Sequence, residues 1–581
     1  MLEIQIEKPT AYTTNISQLF AGNIFTVPDY QRTYAWDKKN WKDFWSDIKE
    51  GLATQTPHYW GTITLRDVGK HLYDGESAST FSVYEVVDGQ QRLVTIYLFL
   101  LALSKAGKQA IKRNFVKHGN IYRIESGSLN NQFLKDLVDD KNPPTEFKTN
   151  RLLKEASEYF ENQIQSYGNI DELTEYVQSC TFSLEFQIKG ESLAIKAFES
   201  LNDRGKPLTL LDKTKSFLMF YSSRYLGGEL NDAINDGFGD VFKNYDFIKE
   251  IGEGASIEYI RNPRYRFSED ELLRFFYHYF AQYAINRYSL RDMGYDYTIT
   301  TENVFEEFLK ESCDRLKSER EQLYGFIDDF LKNFRNFVEG FRELVKQAGN
   351  NSPYRKVFSF LGLSAAVYPL LISLKSENII DNRLLEIAET LDLRVYKVRG
   401  TDPRADLYRD TISKIKINPN PCEIYKNVKT FVDGFMWDTE FQWYLNADIY
   451  GNPAVKYILW EIEKHQASSF DEWNFDLYRN VQVEHIFPGE PTFGFPAYGF
   501  QDEVEYRNNI NKSGNLTLLE ELINKRIGNK IPQDKASDYQ KSNITRTKRL
   551  GFDISNRGFN KDNIEARTKQ LVNFCLWRWK L

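Results

Sequence analysis

The chain has 581 residues, too many for a single hydrophobic core when domains usually run to about 100–200 residues, and it offers no low-complexity tract. Its formal net charge of -7 argues against a general polyanion binder, whose affinity would come from a basic surface. The four cysteines (Cys180, Cys313, Cys422 and Cys575) lie far apart with no CxxC, which excludes a cysteine zinc knuckle and gives no disulfide framework.

The first ten residues, MLEIQIEKPT, lack the basic and apolar regions of a signal peptide. Up to about residue 225 short strands alternate with helices. "GNIFTVPDYQRTYAW" reads as strand and turn, "WKDFWSDIKEGLA" as a helix, and "YWGTITLRDV" and "FSVYEVV" as strands. "YEVVDGQQRLVTIYLFLLAL" (Tyr84 to Leu103) then turns an apolar strand into an apolar helix. Asp88 and Gln91 have the spacing of a capping box, with Gly89 allowing the tight turn. A cap gives no use to Gln90 and Arg92.

Loops rich in Gly, Asn and Pro near Gly227 to Gly254 and Asn418 to Cys422 are candidate boundaries. "EDELLRFFYHYFAQYAINRY" and the run from Thr301 to Gly349 read as helical. In the second, Phe326, Phe330, Phe334, Phe337, Phe341 and Leu344 recur every three or four residues, the stripe of a core-facing helix. "VFSFLGLSAAVYPLLISL" (Val357 to Leu374) is 18 residues without a charge, yet its serines, glycine and Pro369 make it a buried core helix in preference to a membrane span.

The last third begins with helices such as "VKYILWEIEKHQ" and reaches "YRNVQVEHIFPGEP", a strand that ends at Glu484-His485 and is stopped by Pro488. Thirty residues on, "NKSGNLTLLEELINKRIGNK" turns at Gly514 and runs into a helix carrying Asn524, nine residues after Asn515. From Glu505 onward 16 Lys and Arg face 8 Asp and Glu, a local +8 that leaves -15 for the rest; an interspersed solvated surface is the commoner meaning of such a bias.

None of the six histidines lies in an HExxH or other paired spacing, so a zinc hydrolase is not indicated. Taken alone, His485 reads as a hydrogen-bonded structural histidine. Glu484, His485, Asn515 and Asn524 together have the order of an HNH nuclease. Phosphodiester hydrolysis needs a base near pH 7, and histidine, with an ordinary pKa of about 6.5, is poised there. Asn515 can hold the imidazole in one tautomer, while Glu484 and Asn524 offer oxygens to a hard divalent cation. No GxxxxGK[ST] occurs, so a nucleotide site would not be a P-loop.

"VEHIFP", "GNLTLLEELINKRIGN" and "DKASDYQKSNI" resemble the C-terminal HNH domain of GmrSD-type, modification-dependent (type IV) restriction endonucleases. "VPDYQRTYAW", "DGQQR" and "FESLNDRGKPLTLLDKTKSFL" resemble their N-terminal domain, with Thr33 where the family usually has proline. The segment between His485 and Asn515 is long and carries "GEPTFGFPAYGF".

The resemblance implies a multidomain, predominantly helical α+β protein: a ParB-like α/β nucleotide-binding domain over 1–225, a helical middle over 226–430, and a helical region with a ββα-metal nuclease motif over 431–581. It implies a cytoplasmic endonuclease of phage defence, with modified DNA and a nucleoside triphosphate as partners, no membrane, and room for a homo-oligomer. His485, Asn515 and Asn524 would be catalytic, with Glu484 and Asn524 holding Mg2+ or Mn2+. Arg32, Asp88, Gly89, Gln90, Gln91, Arg92, Asn202, Arg204 and Lys206 would bind the nucleotide, Arg92 as a phosphate clamp on a helix N-terminus. Two other readings stand beside it. One is a nucleotide-responsive DNA-binding scaffold whose HNH set is structural, the other a nuclease indifferent to modification; for the joint itself the alternative is that Asp88 and Arg92 pair with one another, or with Arg32, to lock it.

Overall fold

The computed structural model describes residues 10–28, 31, 33–75, 77–126, 131–145, 148–188, 209–295, 299–467 and 469–581. The protein is a multidomain α+β chain in which helices dominate. It packs as two units, one formed by residues 1–247 with 301–335 and the other by 248–300 with 336–581.

The first unit is built on a six-stranded mixed sheet. Its strands are β1 (Thr10–Asn15), β2 (Asn23–Thr26), β3 (His58–Asp74), β4 (Ser79–Asp88), β5 (Ile124–Glu125) and β6 (Thr181–Ile188). Their spatial order is β1-β6-β3-β4-β2-β5. β3 and β4 form an antiparallel pair in which Thr64 faces Asp88, and β2 lies parallel to β4 with Ile24 facing Val83.

Helices α1 (Lys38–Thr54) and α2 (Gln90–Lys105) pack with the sheet around one core. α1 starts at a full capping box made by Asp37 and Asn40 and buries Trp41, Phe44, Trp45 and Ile48, one stripe at helical spacing. α2 has almost no polar face: Leu93 through Ser104 are all buried, as a helix apolar on every side must be.

In the second unit α3 (Glu269–Tyr288) matches the helix read from sequence. A long helix, Arg320–Ala348, carries the Phe326 to Leu344 stripe, and all six of its residues are buried. Two sequence expectations are corrected. The Gly227–Gly254 boundary is mostly a helix, Asn231–Gly254, because Ile234, Phe238, Val241 and Ile248 repeat at helical spacing and are buried, which outweighs the glycines. The uncharged Val357–Leu374 run is buried but is not one helix: it breaks at Gly362, in the left-handed region at φ 71°, before a short helix Tyr368–Ser376. Among the described residues no helix is long and apolar enough to cross a membrane.

The nuclease-like segment is a two-stranded antiparallel hairpin of β7 (Val481–His485) and β8 (Leu516–Glu520), with Leu516 facing His485. It runs directly into α4 (Glu521–Ile527) and then α5 (Pro532–Tyr539). The terminal helix α6 (Lys561–Arg578) closes this segment. Arg567 on α6 donates to the carbonyls of Gly514 (2.8 Å) and Leu516 (3.1 Å). Gly514 is obligatory, since a Cβ there would overlap the Ile564 carbonyl oxygen.

Buried charge fixes the end of α6. Glu389 accepts from Arg578 (3.0 Å), Tyr457 (3.1 Å) and the Trp579 indole (2.7 Å), while the fully buried Arg394 donates to the Trp579 carbonyl at 2.6 Å. Trp579→Phe keeps an aromatic ring but deletes one donor to this buried carboxylate and leaves a small cavity where the larger indole stood. A hydrogen bond to a charged group contributes about 1.5–3 kcal/mol, so the variant should unfold at a clearly lower denaturant midpoint than wild type, with its far-UV circular dichroism unchanged.

Candidate functional site

His485 ends β7, where the chain leaves the hairpin through Ile486, Phe487 and Pro488. Its Nε2 is 3.0 Å from the Asn511 amide oxygen, and the Tyr450 ring leans on its imidazole with centroids 4.0 Å apart. The other ring nitrogen, Nδ1, has no hydrogen bond from the described residues. Burial pushes the imidazole pKa below its ordinary value, the Asn511 hydrogen bond and Asp448 oppose that, and Lys535 adds to it. The ring is therefore neutral at pH 7, the form that can accept a proton.

Asn515 does not touch His485, contrary to the sequence expectation. It is wholly buried; its side-chain oxygen accepts from the Phe487 amide at 2.9 Å, and its nitrogen donates to the carbonyls of Phe487 (3.1 Å) and Ile510 (2.8 Å). The Ile486 amide donates to the Asn515 carbonyl at 2.8 Å. Asn515 thus stitches the exit of β7 to the entry of β8. The imidazole is held by Asn511, four residues earlier. Sequence reasoning missed it because Asn511 stands in a loop, outside the strand and helix pattern that marks the motif.

Glu484, on the opposite face of β7, is buried against α5. Lys535, 1% exposed, donates to Glu484 Oε1 at 2.6 Å and to the His485 carbonyl at 2.7 Å, and Tyr539 approaches the same carboxylate oxygen at 3.4 Å. Burial pushes the Glu484 carboxyl up and the Lys535 ammonium down, and each partner offsets the other's shift. Asn524 on α4 donates to the Gln482 side chain at 2.9 Å.

Glu484 and Asn524 offer one carboxylate and one amide oxygen, a donor set that fits a hard divalent cation in kind. No hydrogen bond joins these two side chains. Among the described residues no three of His, Cys, Asp and Glu cluster as a metal site, so a cation here would also draw on water and substrate oxygens.

The long segment after His485 is ordered by its aromatics. Phe487 packs with Phe500 (5.5 Å), Phe559 (5.7 Å), Tyr498 (5.4 Å) and Phe493 (6.1 Å) in the core under the hairpin.

In the first unit the strand-helix joint differs from the expected capping box. Gly89, at φ 90°, is the N-cap of α2, and no side chain caps the helix. Asp88 falls one residue too early to cap and carries no hydrogen bond or ion pair from the described residues, so it does not pair with Arg92. A Cβ at Gly89 would also lie 3.0 Å from the Thr62 carbonyl oxygen and 3.3 Å from Ile63, so the turn admits only glycine.

Gln91 is used for framing. Its oxygen accepts from the Ala35 amide at 2.8 Å and its nitrogen donates to the Thr33 carbonyl at 3.1 Å. Gln31 donates to the Val86 carbonyl, and Tyr34 bonds Thr95 at 2.8 Å. These contacts tie the "DYQRTYAW" segment to "DGQQR". Arg92 donates to the Thr62 carbonyl at 2.6 Å, and Gln90 is buried. The amides at the start of α2 lack a side-chain cap, the feature that suits a helix N-terminus to an anion. Arg32, Asn202, Arg204 and Lys206 lie outside the described residues.

Residues 16–219 match the model of the GmrSD restriction endonuclease N-terminal domain, and residues 436–574 match that of the GmrSD restriction endonuclease C-terminal domain. Together the matches span more than half of the chain. No curated protein matches it.

The Glu484–Lys535 pair yields a stability test. Lys535→Met strands a buried carboxylate and should cost about 3–5 kcal/mol, whereas Glu484→Met combined with Lys535→Met should recover most of the loss. Chemical denaturation of the three proteins measures both, and equal losses in the single and double variants would contradict the pairing.

Proposed function

The chain belongs to the GmrSD restriction endonuclease family, and on that premise we propose that it is a modification-dependent DNA endonuclease of phage defence with an HNH-type centre at His485. The observation that carries the reading is the state of His485: a neutral, half-buried imidazole at the end of the hairpin, one ring nitrogen anchored and the other without a partner among the described residues.

In this reading His485 takes a proton from water, the resulting hydroxide attacks phosphorus, and the leaving oxygen departs with a proton from solvent. Glu484 Oε2 and Asn524 Oδ1 would hold a divalent cation, Mg2+ or Mn2+, whose chemistry is to polarise the phosphate and stabilise the leaving oxygen. Asn515 contributes by holding the chain on both sides of the hairpin, so that the His485 backbone does not move during the reaction.

The first unit supplies control in the same proposal. A nucleoside triphosphate would set its phosphates at the uncapped start of α2, near Asp88, Gly89, Gln90 and Arg92, with Arg32, Asn202, Arg204 and Lys206 as further polar groups. Nucleotide binding or hydrolysis there would gate cleavage in the cytoplasm, where modified phage DNA arrives.

One observation favours the second reading, a nucleotide-responsive DNA-binding scaffold: Glu484 is neutralised by a buried lysine and Asn515 is spent on backbone contacts, as in a set kept for structure. His485→Ala separates the two. A general base contributes about 10²–10⁴-fold, so the nuclease reading expects a loss of that size in divalent-cation-dependent nicking, with an unchanged melting temperature. DNA-related activity equal to wild type would sink it. The same assay on modified and unmodified DNA, with and without a nucleoside triphosphate, should show cleavage confined to modified DNA and altered by nucleotide; equal cleavage of both DNAs would leave a nuclease without modification dependence.

A further inference from the structure

We propose that Asp448 and Asn511 are positioning residues that hold His485 as its Nε2–H tautomer and so leave Nδ1 as the nitrogen that receives the proton; this rests on the reading of His485 as general base. Neither residue belongs to the hairpin or to α4. Asp448 comes from the segment between the helices Asp438–Asn446 and Val455–Gln466, and Asn511 follows the helix Glu503–Ile510.

The chain of donors has one consistent direction. Asp448 Oδ1 accepts from the Tyr450 amide at 3.2 Å, and its Oδ2 accepts from Asn511 Nδ2 at 2.8 Å. An ionised carboxylate only accepts, so the Asn511 amide must present nitrogen to Asp448 and oxygen to His485. The 3.0 Å contact between that oxygen and Nε2 then requires a proton on Nε2. A neutral imidazole carries one N–H, which leaves the lone pair on Nδ1. Reversing the amide would set two acceptors against each other at Asp448 and move the proton to Nδ1, which could then take none from water.

The frame around this relay is independent of the hydrogen bonds that define it. The Ile449 amide donates to the Asn511 carbonyl at 3.2 Å, so the Asp448–Tyr450 segment grips the backbone of the residue whose side chain it orients. Tyr450 covers one side of the imidazole, and Lys535 pins the His485 carbonyl. Backbone, ring face and Nε2 of His485 are each held by a different residue. When the proton of water bonds to Nδ1 as hydroxide attacks phosphorus, the imidazolium keeps its Nε2–H on Asn511, and the Asp448 carboxylate stands one residue beyond to offset the new charge.

The test is made on the full chain, free of metal and labelled with 15N-histidine. Long-range 15N–1H correlation spectra, taken at a pH where the ring is neutral and assigned by the signals lost in His485→Ala, report which nitrogen carries the proton. Wild type should show Nε2–H. In Asp448→Asn the residue can donate as well as accept, so the Asn511 amide is free to reverse. A measurable Nδ1–H population should appear, and kcat for nicking should fall about tenfold or more with KM and melting temperature unchanged. Nδ1–H in wild type, or an Asp448→Asn protein with unaltered tautomer, overturns the proposal. If His485→Ala is inactive while Asp448→Asn keeps wild-type kcat, only the relay falls; if His485→Ala nicks like wild type, the nuclease reading falls with it.

Discussion

The candidate centre depends on a buried ion pair. Glu484 and Lys535 meet at 2.6 Å with almost no solvent, and Lys535 spends a second hydrogen bond on the carbonyl of the next residue, His485. Taking two charges out of water is costly, and apolar residues of similar size would often serve stability as well or better. What such residues cannot do is fix a backbone carbonyl. Because Lys535 sits on α5 and Glu484 on β7, the pair joins helix to hairpin with one donor and aims two acceptors at it, which sets where His485 leaves the strand. Asn515 repeats the device with an uncharged amide: two side-chain hydrogen bonds hold Phe487 and a third holds the Ile510 carbonyl, while its backbone carbonyl accepts from the Ile486 amide. The His485 ring relies on both, since its own side chain has only one hydrogen-bonded anchor among the described residues, Asn511.

The same economy governs the first unit. Gln91, which looks from the sequence like a group awaiting a ligand, bonds main-chain atoms of a neighbouring segment, and Gln31 likewise bonds a main-chain carbonyl. A buried amide offers a donor and an acceptor in fixed geometry, so it can stand in for strand pairing where two irregular segments meet. Gly89 does the complementary work. By occupying the left-handed region against β3 it starts α2 without a side-chain cap. Asp88 and Arg92 are partly exposed, while Gly89, Gln90 and Gln91 between them are buried. Asp88 stands on one side of the glycine with no partner among the described residues, while Gln91 on the other side is spent on structure.

Much of this was legible from periodicity. The strand before Gly89 and the helix after it, the helix Glu269–Tyr288, the buried phenylalanine stripe and the strand ending at His485 all follow from apolar spacing, which burial enforces whatever the neighbours are. The errors came where tertiary packing overruled local composition: glycine-rich Asn231–Gly254 is helical because its apolar residues are buried, and the uncharged Val357–Leu374 run breaks at Gly362. Motif order singles out His485 and Asn524 as candidates but not the partners that the structure gives them. Asn511 reaches His485 across 26 positions and Asp448 reaches Asn511 across 63, and no local pattern records a contact made between loops. Motif order singles out Asn515 as well, but its hydrogen bonds go to other partners than His485, because a place in a motif says that an amide is needed without saying whose hydrogen bonds it completes.

The division between a motif and its setting has an electrostatic consequence. His485 lies between a cation, Lys535, which disfavours its protonated form, and a carboxylate, Asp448, which favours it, while burial also disfavours it. Lys535 is neutralised by Glu484 at close range, so its residual field at the ring is small; Asp448 acts through Asn511 and is exposed to solvent, so its field is screened. Neither charge dominates, and the ring stays neutral because of burial. In the proposed nuclease, a ring arranged in this way would be ready to accept a proton before substrate arrives. The arrival of a phosphodiester, itself anionic, would then raise the ring's affinity for a proton at the moment when the reaction requires one, without any movement of the side chains that hold it.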